Sequence, residues 1–129
     1  MASIKGGTVF IAPISAQYSY VMGVDGRLYK SWTGTKTVKP GKHQFLFGCS
    51  HAAGLKSMAK MTINVESGQR YLVEAKNWTE PNATYTVYKM PERVVISTAQ
   101  VPLIGTLEYG SGERIKNQLI SEGWRPAEE

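Results

Sequence analysis

One strand-like segment carries residue types that could do chemistry together. His43, Cys49 and His51 are separated by even numbers of residues, so in an extended strand their side chains share one face. Cys49 and His51 could share a zinc ion or act as thiolate and base, because adjacent same-face positions lie about 6–7 Å apart. A structural zinc needs four ligands, and the chain has one cysteine and two histidines. With Phe45 and Phe47 between them, we interpret Cys49 as an unreactive core residue and the histidines as caps of the apolar stripe.

The other catalytic patterns find little support. The acidic residues that could act as general acid or base are Asp25, Glu66, Glu74, Glu80, Glu92, Glu108 and Glu113. No two of them are spaced to force a pair, and Asp25 is most simply a turn former. Gly110-Ser111-Gly112 could bind an anion before a helix, but it lacks the lysine of a phosphate loop. The sequence therefore predicts no enzyme, no cofactor and no metal, with a small hydrolase or transferase as the third hypothesis.

Basic and aromatic side chains meet in one segment. The candidate partner-binding residues there are Arg27, Tyr29, Lys30, Trp32, Lys36, Lys39 and Lys42. If hairpins bring them onto one outer face, the combination of cations and rings suits single-stranded nucleic acid or a sugar surface. Alternatively, they form a solvated hairpin edge whose lysines discourage pairing with another edge.

The elements that must position these residues are mainly strands. Short runs of alternating apolar and polar residues are separated by Gly, Pro, Asn and Asp. The runs predict strands at 8–14, 18–24, 28–32, 35–38, 42–51, 59–65, 70–76, 84–89, 94–97 and 101–109. Pro91 and Pro102 restrict the last two to edges or strand starts. We predict one domain over residues 1–129, an antiparallel β-sandwich of about seven to nine strands.

Turn residues and alternation also predict the core. Asp25-Gly26 favours a tight hairpin, and Pro40-Gly41 favours a turn with glycine in the left-handed region. Leu46 lies on the opposite face from Phe45, which indicates a sheet covered on both sides. The residues predicted to be buried together are Phe45, Phe47, Cys49, Met61, Ile63, Val65, Tyr71 and Val73.

The period changes at the end of the chain. We predict a C-terminal helix at about 111–123, capped by Ser111, with Gly123 as its stop. Its apolar stripe contains Ile115 and Leu119, with Ile120 as a third candidate. Trp124, just past the stop, is expected to fasten the tail to the sheet.

Composition narrows the class of protein. The chain has 129 residues, of which 42% are hydrophobic and 19% charged, and this excludes disorder as the main state. A single cysteine forbids an intrachain disulfide, and no apolar run approaches the ~20 residues of a transmembrane helix. The net charge of +5 is scattered along the chain rather than clustered. No export signal is visible, so we expect a bacterial envelope location if a signal was trimmed and a cytoplasmic or virion location otherwise.

Three turn motifs carry a resemblance to a known family. Val24-Asp25-Gly26, then Pro40-Gly41-Lys42-His43, then Gly68 followed by Tyr71 give a V-D-G hairpin, P-G-x-H and G-x-x-Y. This order resembles the PEGA domain and the small β-sandwich modules of bacterial envelope lipoproteins, over about residues 9–76. The resemblance implies a non-catalytic, surface-attached module that engages in interactions. The lipid-bearing cysteine and the PEGA tetrapeptide themselves are missing, and the stretch from Val94 lies outside the resemblance.

The hypothesis that these observations favour is a non-catalytic binding or assembly module, a subunit of a larger bacterial envelope or phage assembly. Its contacts, to a protein partner or to copies of itself, would use an edge strand near Pro91 and Pro102 or the hairpin around Tyr29 and Trp32. The alternative is a nucleic-acid or anionic-surface module that uses the basic aromatic hairpins.

Overall fold

The alternating runs fold into strands, followed by a single helix near the end. The computed structural model describes residues 1–12, 15–51, 54–76, 82–102 and 112–126. Its elements are β1 (Ala2–Gly6), β2 (Thr8–Ala12), β3 (Ser15–Val24), β4 (Arg27–Leu28), β5 (Lys36–Val38), β6 (Gly41–His51), β7 (Gly54–Val65), β8 (Arg70–Lys76), β9 (Asn82–Met90), β10 (Val94–Pro102), α1 (Gly112–Ser121) and β11 (Arg125–Pro126).

The strands form two sheets. The first sheet has the order β10-β9-β8-β1-β5, and the second has the order β11-β4-β3-β6-β7, with β2 paired to β3 as well. The pairings are antiparallel except for β1 with β8 and β11 with β4, which are parallel. The prediction of a mainly β sandwich with one C-terminal helix is confirmed. The described residues form eleven strands, however, more than the seven to nine predicted, because short strands such as β1 and β11 were not expected. The two parallel pairings were not predicted, because each uses a short strand outside the predicted runs.

The main core lies between the two sheets. All eight residues predicted to be buried together belong to it, joined from the first sheet by Ile4, Tyr85 and Val87. On β7, Ile63 and its neighbours at even spacing are buried, whereas Thr62 and Asn64 are exposed. The predicted register of this strand is therefore confirmed, since a slip by one residue would exchange the two faces.

A second apolar cluster covers the outer face of the second sheet. Its members are Met22, Leu28, Leu46, Leu55, Ile115, Leu119 and Trp124. Helix α1 supplies Ile115 and Leu119, which confirms these two members of the predicted stripe, and Trp124 fastens the tail as expected. The third candidate, Ile120, is wrong, because its side chain is exposed. Gly48 leaves space for the Met22 side chain on this outer face, because a Cβ at position 48 would lie 2.4 Å from Met22 Sδ. The sheet is thus covered on both sides, as the position of Leu46 indicated.

Two predicted strands end differently in the structure. The strand predicted at 28–32 is wrong beyond Leu28, because β4 ends there and the chain crosses from the second sheet to β5 in the first. The prediction of two separate strands at 94–97 and 101–109 is also wrong. A single strand, β10, runs from Val94 through a bulge between Val95 and Ser97 to Pro102. Residues 13–14, 103–109 and the cap Ser111 lie outside the described residues.

Candidate functional site

Cys49 lies in the closed core between the sheets. Its side chain is fully buried, and burial raises the pKa of the thiol to about 11. The thiolate is the nucleophile and the metal ligand, so a raised pKa and the lack of solvent access both oppose reactivity. The side chain of His51, its predicted companion, lies outside the described residues.

We expect the Cys49 thiol to react with a neutral thiol reagent only when the protein unfolds. The reaction of the native protein at pH 7 should therefore be much slower than in denaturant, as measured by mass spectrometry. Rapid native labelling would contradict this burial.

Asp25 and His43 tie the first hairpin to the start of β6. Asp25 and Gly26 both have positive φ, 49° and 83°, which confirms the predicted tight turn. The Asp25 carboxylate accepts a hydrogen bond from the Gln44 amide at 2.9 Å and faces His43 Nδ1 at 2.5 Å. His43 Nε2 lies 2.7 Å from the Lys39 carbonyl oxygen. Because both ring nitrogens face acceptors, the protonated imidazolium, which donates twice, fits this site.

The same contacts move both pKa values. The hydrogen bond to Asp25 raises the pKa of His43 above 6.5, with desolvation opposing it. Desolvation alone would raise the pKa of Asp25, but the hydrogen bonds from His43 and Gln44 outweigh it and hold that pKa below 3.8. Asp25 is therefore more than the turn former predicted from the sequence, because its carboxylate also holds the His43 ring.

The His43–Asp25 pair is expected to stabilise the fold in a defined pH window. The contribution should be full between the unfolded-state values of 3.8 and 6.5, lost as pH rises through the raised pKa of His43, and lost in acid as Asp25 protonates. Compared with His43→Gln, we expect a difference of about 0.2–1 kcal/mol at pH 5.5 that disappears by about pH 9, measured by urea unfolding. An equal difference at both pH values would contradict an ionic origin.

Both candidate rings of the hairpin segment, Tyr29 and Trp32, are covered by lysine side chains of the same chain. Lys36 Nζ lies 4.9 Å from the centre of the Tyr29 ring and donates to the carbonyl oxygens of Ser31, at 2.7 Å, and Thr33, at 3.0 Å. Tyr29 itself packs against the core between the sheets. This cation is thus used to close the loop between β4 and β5.

The other ring is held by the C-terminal helix. Lys116 Nζ lies 5.5 Å from the centre of the Trp32 ring and donates to the Lys30 carbonyl oxygen at 2.9 Å. Trp32 is half-buried against the second apolar cluster, and its indole Nε1 is enclosed without a hydrogen-bond partner among the described residues. The ring of Trp32 is therefore not free on the surface, because Lys116 of α1 lies over it.

The basic residues of the segment do not share one face. Lys36 pairs with Ile4 and points to the inner side of the first sheet, whereas Lys42 lies on the Leu46 side of β6, the outer side of the second. Lys39 contributes its carbonyl to His43, and exposed Arg27 lies beside Arg125 on the paired strand β11. The structure places Lys36 over the Tyr29 ring. It also brings Lys30 and Trp32 together, because Lys116 of α1 contacts the Lys30 carbonyl oxygen and the Trp32 ring. It does not join all seven residues into a single surface.

No family model, curated protein or solved structure matches the chain. The PEGA-like resemblance accordingly stays a prediction. Within the described ranges, no three His, Cys, Asp or Glu side chains group as metal ligands would. No helix in the same ranges is long and apolar enough to cross a membrane.

β10 is an edge strand that exposes a run of apolar side chains. Three successive apolar side chains are exposed there, Val94 by 52%, Val95 by 54% and Ile96 by 38%. The strand ends the first sheet, and in the described ranges only β9 pairs with it. None of its nine residues is charged. An uncharged edge that exposes large apolar groups is a template for pairing with another strand.

Sequence reasoning placed an edge strand near Pro91 and Pro102 but did not single out these three residues. The signal available was the run of three apolar residues Val94-Val95-Ile96, although similar runs on β6 and β8 are buried. A half-buried strand would carry a polar residue at one of these positions.

Proposed function

We propose that this protein is a non-catalytic assembly module whose β10 edge pairs with β10 of a second copy. One observation carries the proposal: an uncharged edge strand of nine residues with three consecutive exposed apolar side chains. Two such strands would pair antiparallel about a two-fold axis and join two five-stranded sheets into one. Self-pairing puts no like charges opposite one another, because the strand has none.

Three other edge strands are poorer candidates because they are short or carry cations, and a fourth, β2, has five residues with a bulge between Phe10 and Ala12. β5 has three residues and includes Lys36, and β11 has two and includes Arg125. β7 is long but carries Lys56 and Lys60, and edge lysines discourage pairing with a neighbour. The regular part of β10, Ser97–Val101, follows its bulge and offers free N–H and C=O groups at alternate residues.

The hairpin contacts support the assembly hypothesis over nucleic-acid binding. Stacking of bases needs free ring faces, but Lys36 covers Tyr29 and Lys116 covers Trp32. A groove for a phosphate backbone needs clustered cations, and Lys36 and Lys42 lie on different sheets facing different sides.

The test is the mass of the native particle by size exclusion with light scattering. We expect wild type to approach twice the chain mass of 14.2 kDa as its concentration rises. The double variant Val95→Lys and Ile96→Lys places cations on both copies of the edge, and its dissociation constant should rise at least about 100-fold, the effect of several kcal/mol of repulsion and lost burial. Ile120→Lys is the matched control, since Ile120 is equally an exposed apolar residue, on α1.

The outcomes separate the hypotheses. A dimer lost in the β10 variant and kept in Ile120→Lys supports the proposal. A monomer at every concentration contradicts self-pairing, and pairing of β10 with a different protein would then appear as a partner captured by wild type but not by the β10 variant. A wild-type protein that binds single-stranded nucleic acid with strong salt dependence would favour the alternative function.

A further inference from the structure

A cavity of about 390 Å³ opens on the outer face of the first sheet. Residues of β1, β8 and the end of β9 line it, because Ser3, Arg70 and Met90 lie side by side across these three strands. Thr35 and Pro91 close its rim. Its volume falls in the lower part of the ~300–1,000 Å³ range of small-molecule sites.

Two cations face this cavity without a partner. Lys5 and Arg70 are exposed, and neither side chain has a hydrogen-bond or ionic partner among the described residues. Two other cations near the end of β9 are already paired, since Arg93 contacts Glu74 and Lys89 contacts Glu66, each at 2.9 Å.

No carboxylate lines the cavity in the part of the chain described. The positive charge of Lys5 and Arg70 is therefore available to a ligand.

The floor of the cavity is apolar. Leu72 lies on the outer face of β8, paired with Lys5, yet only 8% of it is exposed. Met90 and Pro91 continue this apolar surface to the rim, while Ser3 and Thr35 add hydroxyl groups. A site with an apolar floor, two unpaired cations and a few hydroxyls is complementary to a small molecule that is apolar at one end and anionic at the other.

We propose that this cavity binds a small organic carboxylate with an apolar chain or ring. The Arg70 guanidinium matches a carboxylate with two parallel hydrogen bonds, and Lys5 adds a second positive charge. The apolar part of the ligand lies on Leu72 and Met90. This binding is independent of the β10 edge and can be measured on the monomer.

Three probes separate the contributions of charge and apolar surface. Octanoate carries both, 1-octanol has the chain without the charge, and acetate has the charge without the chain. Titration calorimetry, with amide chemical shifts mapping the site, should show octanoate binding at least about tenfold more tightly than either of the others. Shifts should centre on the amides of Lys5, Leu72 and Met90.

Variants test the residues. Arg70→Gln should weaken octanoate binding at least about tenfold, and Met90→Gln should weaken it while leaving the weak binding of acetate unchanged. Lys76→Gln is the matched control, because Lys76 lies on the same strand and face as Arg70 but six residues away, about 20 Å along β8. Thermal unfolding of each variant checks that the fold is intact.

Each other outcome overturns the proposal. Octanol binding as tightly as octanoate would make the cavity merely apolar, and acetate binding as tightly would make it only a cationic surface. Equal losses in Arg70→Gln and Lys76→Gln would indicate a general effect of net charge. No binding of any probe, or shifts centred elsewhere on the protein, would show that the cavity is not a carboxylate site.

Discussion

Truncation of Ile63 to alanine is expected to lower the free energy of unfolding by about 2–5 kcal/mol. Ile63 is 2% exposed and lies near the end of β7, within the core between the sheets. The variant removes apolar surface buried against both sheets and leaves a cavity that close packing cannot easily refill. Urea unfolding at constant pH measures the change, with an unchanged slope showing that the unfolded state is the same.

The neighbouring residue supplies the control for this prediction. Thr62 is exposed on the opposite face of the same strand, so Thr62→Ala should stay within about 0.5 kcal/mol of wild type. Equal effects of the two substitutions would mean that β7 does not have the described register.

Replacement of Gly6 by alanine is expected to cost about 3 kcal/mol, at the upper end of the usual effect of overpacking. A Cβ at Gly6 would lie 1.7 Å from the carbonyl oxygen of Ser19, a separation that no side chain movement can relieve. Ser19 is itself fixed, because its amide donates to the Gly7 carbonyl at 2.9 Å and its hydroxyl accepts from the Ala75 amide at 3.0 Å. The close approach links the two sheets, so the substitution must force them apart.

The adjacent Lys5 provides a comparison within the same strand. Lys5→Ala removes an exposed side chain from β1 and should change the free energy of unfolding by less than about 0.5 kcal/mol. A Gly6→Ala variant as stable as Lys5→Ala would show that the sheets do not approach each other at this point. Calorimetric unfolding of both variants makes the comparison.

The sequence predicts the central strands and their turns well, for a local physical reason. Alternation on β6 and β7 decides which face is apolar, and the positive φ of Asp25 and Gly26 follows from residue types that tolerate it. The burial of Cys49 follows from the same alternation. None of these conclusions depends on which strands become neighbours.

Features that depend on distant pairing were not predictable in this way. The five residues of β1 were not predicted as a strand from the sequence. The parallel pairing of β1 with β8 joins residues almost seventy positions apart, which no local pattern can indicate. The cavity is built from β1, β8 and β9 together, so Lys5 and Arg70 gain meaning only after the sheet forms. Likewise, Trp32 is enclosed by a helix that follows it by some eighty residues. The sequence did indicate edge character for β10, through its flanking prolines, but not the exposure of its apolar run.

Hydrogen exchange at the β10 amides, measured as a function of protein concentration, shows directly whether two copies pair through this edge. If two copies pair through this edge, alternate amides between Ser97 and Val101, those that point away from β9, should exchange more slowly in concentrated than in dilute solution. The Val95→Lys, Ile96→Lys variant should show no such dependence. Exchange rates at these amides that are identical in dilute and concentrated wild-type protein, while the particle still associates, would contradict the assignment of β10 as the assembly edge.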